Sequence, residues 1–138
     1  MDSLRAIPNW VKVGGLYFAI VFAAGFAFGA VRELFLIPSF GSLMAHILEV
    51  PLMLAVSFAA VIFLVRQFSV ARSWGERISM GLFAFGLLIL AEIGVGLGLM
   101  GLDPGEMITG YRTIEKQLGL AAQILFAAMP ALLLLKDR

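Results

Sequence analysis

The sequence predicts an all-α integral membrane protein, a single domain (residues 1–138) folded as an antiparallel bundle of four transmembrane helices. Composition is the first reason: 62% of the residues are hydrophobic, 14% are charged, and the mean hydropathy is +1.02. Soluble domains are about 45–50% apolar and about 25% charged. A chain of 138 residues has no core large enough for that apolar excess, whereas a lipid bilayer can cover it.

The second reason is the presence of four apolar stretches that are long enough to cross a bilayer, which takes about 20 residues. They run over residues 11–37, 42–65, 78–102 and 117–135. Each is predicted to be helical, because hydrocarbon offers the backbone no other hydrogen-bond partners. A closed β-barrel needs alternating apolar and polar residues, and the runs at 16–30 and 52–65 do not alternate.

The first two connections carry turn and helix-start signals. Residues 38–41, with the sequence Pro-Ser-Phe-Gly, predict a tight turn after the first span. In the basic loop 66–77, Ser73 and Glu76 have the spacing of a capping box, which predicts that the third helix starts there.

The outer connection, residues 103–116, repeats the helix-start signal. Asp103 and Glu106 stand three residues apart, with Pro104 in a position that the first turn of a helix tolerates. The sequence therefore predicts a short interfacial helix before the fourth span, broken near Gly110.

The ten lysine and arginine residues divide unequally between the two sides of the predicted bundle. Seven lie on the side of the termini and of the loop 66–77, and three lie on the other side. Because basic residues are enriched in cytoplasmic segments, both termini are predicted to be cytoplasmic. The seven are Arg5, Lys12, Arg66, Arg72, Arg77, Lys136 and Arg138, and the three are Arg32, Arg112 and Lys116.

Polar residues inside the spans are the main functional signal, because an ionisable residue costs about 2.5–3.5 kcal/mol to insert at a helix centre. Counting helical rise from the connections places such residues of all four spans at similar depth, in the outer half, away from the termini. We predict that they form a polar layer and a candidate ligand- or proton-binding site. Its members are Arg32, Glu33, His46, Glu49, Glu92 and Gln123.

Helical spacing predicts that these polar groups face the interior of the bundle. Gly25, Gly29 and Arg32 fall on one helical stripe, and glycines four residues apart let a neighbouring helix approach closely. Gly94 and Gly98, close to the carboxylate of the third span, are predicted to be helix-packing residues as well.

Within the layer, Arg32 is predicted to pair with Glu49, Glu33 or both through its guanidinium fork. Glu92 is then left without a cation, so that it could exchange a proton or accept a ligand's cation. A structural alternative stays open, in which Arg32 and Glu49 only lock the first hairpin. Glu92 would then be a protonated acid bonded to Gln123 or to a backbone carbonyl, and contact with a partner subunit is a third alternative.

Several classes of chemistry find little support. The chain has no cysteine, and His46 and Glu49 together are too few for a transition-metal site, so no metal and no cofactor are predicted. Ser42, His46 and Glu49 lie along one helical face, but that would be an unusual geometry for a triad, and no catalytic residue is predicted. The formal net charge of +1 gives no reason to expect a nucleic-acid partner.

The first hairpin resembles a family of small four-span inner-membrane proteins found in many proteobacteria. The resemblance covers about residues 25–65 and rests on an arginine, a proline–glycine turn and a Glu-x-Pro segment in that order. These are the segment VRELFLIP at 31–38, then Gly41, then EVPLM at 49–53. The resemblance implies four helices and a bacterial inner membrane. That family has no assigned activity, so it implies no functional residues.

Two classes of function are therefore compatible with the sequence. In the first, the chain is a small transporter-like or sensor-like protein, in which Arg32 holds the anionic part of a solute and Glu92 and Glu49 exchange protons or cations. In the second, it is an accessory or assembly subunit whose glycine-rich faces pack against a larger membrane complex or a second copy, as a homodimer. Both classes have the lipid bilayer as their surroundings.

Overall fold

The computed structural model describes residues 7–99 and 101–136. Four helical segments within them are long and apolar enough to cross a membrane, and they are called spans 1 to 4 below. They are Asn9–Phe40, Ser42–Gln67, Trp74–Leu99 and Ile114–Leu135. The predicted class, an all-α multi-pass membrane bundle, is confirmed. Arg5 and Arg138, which the orientation prediction uses, lie outside the described residues, and so does the side chain of Lys136.

Spans 1 and 3 each change from α-helix to π-helix at one end. In span 1 this change begins at Arg32, and in span 3 it begins at Val95. The π-helix of span 1 lies directly before Pro38, whose ring and missing N–H disfavour a regular α-helical turn. In chain order the helical elements are α1 (Asn9–Val31), a π-helix (Arg32–Leu36), α2 (Ile37–Phe40), α3 (Ser42–Gln67), α4 (Trp74–Gly94), a π-helix (Val95–Leu99), α5 (Pro104–Thr109), a 3-10 turn (Gly110–Arg112) and α6 (Ile114–Lys136).

The turn between spans 1 and 2 is shorter than the four residues predicted. The helix continues through Pro38 to Phe40, and the chain reverses at Gly41, which has a φ of +87°. Glycine adopts this conformation without the steric cost that a side chain would add. Pro38 is tolerated because it stands in the first turn of α2, where the missing N–H matters least.

Both predicted helix starts are confirmed. The side chain of Ser73 accepts a hydrogen bond from the backbone N–H of Glu76 at 3.2 Å. The carboxylate of Asp103 accepts one from the N–H of Glu106 at 2.7 Å, and it opens the predicted short helix α5. That helix gives way to a 3-10 turn at Gly110, as the sequence indicates.

The spans pack as two antiparallel hairpins lying side by side. Span 1 contacts spans 2 and 3, and span 4 contacts the same two, so the order around the bundle is 1–2–4–3. The connection 68–73 therefore runs across one end of the bundle, where Val70 is buried and the Asn9 amide donates to the Phe68 carbonyl at 3.0 Å. We call this the inner end, and the end that carries Gly41 the outer end.

The buried core fills the inner half, where the helices are closest. A Cβ atom on Gly81 would lie 1.8 Å from the Ala127 carbonyl oxygen, and one on Gly14 would lie 3.0 Å from that of Met80. Glycine at these two positions therefore sets the distance between the helices. The core residues are Val13, Tyr17, Val21, Ala60, Val61, Leu64, Val70, Met80, Ala84, Leu88, Phe126 and Leu133.

The glycines expected to pack within the bundle behave differently. Gly94 and Gly98 are exposed, and no atom of the described residues lies within 4 Å of a Cβ built on either, so the close packing expected there is not found among these residues. Gly25 and Gly29 have only ordinary van der Waals neighbours. Gly25 and Gly29 line the cavity around which the spans separate, whereas Gly94 and Gly98 lie on the exposed side of span 3.

Candidate functional site

A cavity of about 870 Å³ lies between the four spans in the outer half of the bundle. Its floor is made by Val21, Ser57, Leu88 and Phe126, one residue from each span, all of them buried. All six polar residues singled out in the sequence line this cavity: Arg32, Glu33, His46, Glu49, Glu92 and Gln123. The structure thus brings the members of the predicted layer together around one space.

Arg32 is bound by carboxylates on two sides. Its Nη1 donates to Oε2 of Glu49 on span 2, and its Nε lies 3.5 Å from Oε1 of Glu33. The pairing of Arg32 with both glutamates is as predicted. The side chain of Glu49 is 13% exposed and that of Glu33 is 62% exposed, so the Glu49 contact is the enclosed one. Arg32 Nε is buried without a hydrogen-bond partner among the described residues, and an anionic ligand group would have to compete with the two carboxylates for this guanidinium.

Glu92 and Gln123 join spans 3 and 4 across the cavity. The amide Nε2 of Gln123 donates to Oε1 of Glu92. Among the described residues of the outer half, the ion pairs found are those of Arg32, and no lysine or arginine nitrogen is found within 4 Å of the Glu92 carboxylate. Lys116 acts on Glu92 only from a greater distance. Glu92 therefore has an amide rather than a cation as its direct partner, and the contact with Gln123 is the one that the structural alternative predicts.

The geometry around His46 does not form a triad. Nδ1 of His46 lies 2.8 Å from the Ser42 carbonyl oxygen, so this nitrogen carries the proton and donates it. The Ser42 hydroxyl donates to Glu115 at 3.2 Å, and Glu49 is engaged by Arg32. Across residues 7–99 and 101–136, no group of three or more histidine, cysteine or acidic side chains is arranged to hold a metal ion.

Four residues outside the predicted polar layer, in the outer connection and at the start of span 4, also line the cavity. Glu106, Tyr111, Glu115 and Lys116 all line the cavity at its mouth. The Lys116 ammonium lies 5.3 Å from the centre of the Tyr111 ring, within reach of a cation–π contact. Partial burial, with a smaller contribution from the Glu92 carboxylate, raises the pKa of Tyr111 above its usual value.

Helix α5 is held over the mouth by one apolar contact. The methyl group of Met107 rests on Gly96, where a Cβ would lie only 2.7 Å from it. Gly96 lies one helical turn after Glu92, and the residue that packs on it lies 11 positions further along the chain. Helical periodicity within a span carries no information on such a contact.

Below the floor, polar side chains close the inner half. The Tyr17 hydroxyl donates to the Phe126 carbonyl at 2.8 Å, which is the carbonyl left without its helical donor because Pro130 has no N–H. Arg77 is 1% exposed and donates to the carbonyls of Ala71 at 3.1 Å and Pro130 at 2.9 Å. These contacts tie the inner connection and spans 1 and 3 to span 4.

The fold and the site together define a class: a small four-span membrane bundle with an outer polar cavity over a closed inner half. No family model, curated protein or solved structure matches the chain. The proposed function therefore rests on the cavity.

Proposed function

We propose that this chain is a small transporter-like or sensor-like membrane protein whose outer cavity binds a small solute or a proton. The observation that supports this most directly is that one polar residue from each span lines the same cavity. These residues are Arg32, Glu49, Glu92 and Gln123. Cavities of about 300–1,000 Å³ are typical of small-molecule sites, and this one falls within that range. A purely structural clasp would need no such space beside it.

Access to the cavity is the first property to test. The chain has no cysteine, so Arg32, Glu49, Glu92 and Gln123 can each be replaced by cysteine in a separate variant. Each variant, in intact cells, is treated with a membrane-impermeant thiol reagent. Labelling at these positions from outside is expected for a binding cavity. Complete protection of all four, both in intact cells and in opened membranes that expose the two sides, would contradict the proposal and favour a sealed structural clasp.

Glu92 is the residue whose replacement should separate binding from folding. Glu92→Gln keeps the size of the side chain and removes its charge, so we expect a loss of ligand binding or proton-coupled flux while the protein still assembles. Glu76→Gln is the matched control, because Glu76 lies at the inner end and does not line the cavity. Unchanged binding and flux in Glu92→Gln would remove the transporter-like and sensor-like function.

The cellular location is part of the same proposal: a bacterial inner membrane, with both termini cytoplasmic. Arg66, Arg72 and Arg77 all lie at the inner end, which agrees with the positive-inside distribution of basic residues. The resemblance of the first hairpin to proteobacterial inner-membrane proteins supports the same assignment.

An accessory or assembly subunit is the second candidate, favoured by one observation. Gly94 and Gly98 are exposed and have open space beside them, which leaves room for a helix of another chain to approach. Isolation in a mild detergent should then recover a foreign membrane protein in stoichiometric amount. Recovery of a monomer alone would count against this candidate, and recovery of a homodimer alone would count against a larger complex.

A further inference from the structure

The charges around the cavity are unbalanced, which gives information on the ligand. Five glutamates line it, against one arginine, one lysine and one histidine. Arg32 is already neutralised by the two carboxylates that it contacts. The remaining acidic and basic side chains therefore carry a net negative charge, which comes from the glutamates that Arg32 does not contact. The five are Glu33, Glu49, Glu92, Glu106 and Glu115.

Glu92 is the deepest of the glutamates that Arg32 does not contact. It lies on span 3 one helical turn beyond the floor residue Leu88, and its direct partner is the neutral amide of Gln123. An ionised carboxylate in a half-enclosed apolar space is stabilised by a cation, and the cavity provides none within 4 Å among the described residues. A ligand can supply one.

The remaining walls are apolar and aromatic. Phe22 and Phe26 stand one turn apart on span 1, with ring centres separated by 6.4 Å, and Phe126 and Tyr111 contribute rings from the opposite side. Aromatic faces attract cations, and they also bury hydrocarbon. A volume of about 870 Å³ is far larger than a single ion, and a molecule that fills it could place its positive charge at Glu92 and its hydrocarbon against these rings.

We propose that the cavity binds an amphipathic organic cation, with Glu92 as its counter-ion and the phenylalanine rings of span 1 around its apolar part. This inference rests on the proposed function and adds the chemical class of the ligand. We expect the ligand to reach the cavity from the outer side. The cavity should prefer a positive over a negative molecule, and Glu92 should cause much of that preference.

Charged thiol reagents of similar size measure the preference directly. Met53 lines the cavity on span 2 below Glu49, and Met53→Cys places one thiol there in a chain with no other. The rate of its modification from outside is measured with the cationic trimethylammonium-ethyl and the anionic sulfonatoethyl methanethiosulfonates. Ser39→Cys, at an exposed position at the outer end that does not line the cavity, provides the reference ratio.

We expect the ratio of cationic to anionic rate to be at least about tenfold higher at Met53→Cys than at Ser39→Cys, because a charged cleft concentrates counter-ions. Adding Glu92→Gln should reduce that ratio severalfold, and adding Glu76→Gln should not. Equal rates with both reagents, or a faster anionic reagent, would overturn the inference and leave an open solute cavity in place. Failure of both reagents to react at Met53→Cys in opened membranes, where Ser39→Cys reacts, would overturn the proposed function itself.

Binding is tested with two ions of nearly the same shape and opposite charge. Tetraphenylphosphonium should slow the modification of Met53→Cys in purified protein, whereas tetraphenylborate should not, and the protection should weaken with Glu92→Gln. Protection by the anion alone, or by neither ion, would overturn the assignment to an amphipathic cation.

Discussion

Tyr17 shows how single side chains make a proline tolerable inside an apolar bundle. Pro130 removes one hydrogen bond from span 4, and the carbonyl of Phe126 that loses its donor lies where no water can replace it. The Tyr17 hydroxyl, which reaches it from span 1, takes the place of the missing N–H. Tyr17 and Pro130 are 113 positions apart in the sequence, so a local sequence pattern around either residue does not predict their relation.

Tyr17→Phe should therefore lower the free energy of unfolding by about 1 kcal/mol, since it leaves a buried carbonyl without a donor. The loss should shrink in a Pro130→Ala background, because residue 130 then supplies its own N–H to Phe126. Titration with sodium dodecyl sulfate in mixed micelles measures both values. Tyr111→Phe is the control, as Tyr111 lies at the cavity mouth rather than in the core. An equal loss in both backgrounds would contradict the proposed pairing.

Arg77 has a structural role in the core that its position in the sequence does not predict. A basic residue next to a connection is normally counted as a topology signal, yet Arg77 is buried and binds two carbonyls. The spacing of Arg77, Gly81, Ala84 and Leu88 along one buried helical face is the signal that could have identified it.

Arg77→Gln should destabilise the protein by about 1–3 kcal/mol for each carbonyl left without a donor. Arg66→Gln is the matched control, because it removes the same charge at the inner end from an exposed position. Unfolding in mixed micelles should separate the two variants clearly. If both variants lost the same small amount, Arg77 would act only through its charge.

Tyr111 offers a spectroscopic check on the geometry of the cavity mouth. Burial raises the pKa of its phenol, and the Glu92 carboxylate raises it further, because tyrosinate would be a second negative charge nearby. Glu92→Gln removes that second cause, so the pKa of Tyr111 should fall towards its usual value. Absorbance of tyrosinate near 295 nm follows the titration in a Tyr17→Phe background, with Glu76→Gln as control. An unchanged midpoint would mean that Glu92 does not face the mouth.

At the scale of elements, the closest approach of two helices is at Gly81 rather than at the glycines of the polar layer. A methyl group there would meet the backbone of Ala127, which cannot move aside as a side chain can. Glycine spacing in the sequence indicates which residues permit close packing, but not which of them have a neighbour. Gly81 has one, and Gly94 and Gly98 do not within this chain.

Gly81→Ala should accordingly separate spans 3 and 4 and cost about 1–3 kcal/mol of unfolding free energy, or prevent assembly. Gly86→Ala, on the same helix, should be neutral or slightly stabilising, since nothing lies within 4 Å of its Cβ and alanine favours the helix. Comparison of the two by denaturant titration tests the crossing itself. Similar stability of both variants would show that spans 3 and 4 are not in contact at Gly81.

Much of the architecture follows from local sequence, and the rest depends on packing between distant segments. Hydropathy and capping residues predict four helices and the start of α5, because these are properties of neighbouring residues. Helical depth also predicts that Arg32 meets Glu49, since a short turn joins their spans. The order 1–2–4–3 depends on contacts between spans, which no local pattern records.

The molecule as a whole is asymmetric along its axis. Its outer half has an open polar cavity, and its inner half is closed by the core, by Arg77 and by the connection that crosses the bundle at Val70. Below the cavity, a solute that enters from the outer end meets the buried floor residues Val21, Ser57, Leu88 and Phe126, one from each span. Transport would require these residues to move, whereas a sensor would need only to bind.

The direction of this asymmetry in the membrane can be determined with the same cysteine-free chain. Ser39→Cys lies at the outer end and Gln67→Cys at the inner end, both exposed and both in single-thiol variants. With the basic residues concentrated at the inner end, we expect an impermeant thiol reagent to label Ser39→Cys in intact cells, and Gln67→Cys only after the membrane is opened. The reverse pattern would place the cavity on the cytoplasmic side. It would then take its ligand from the cell interior, and the proposed orientation would be wrong while the cavity and its charge preference remained.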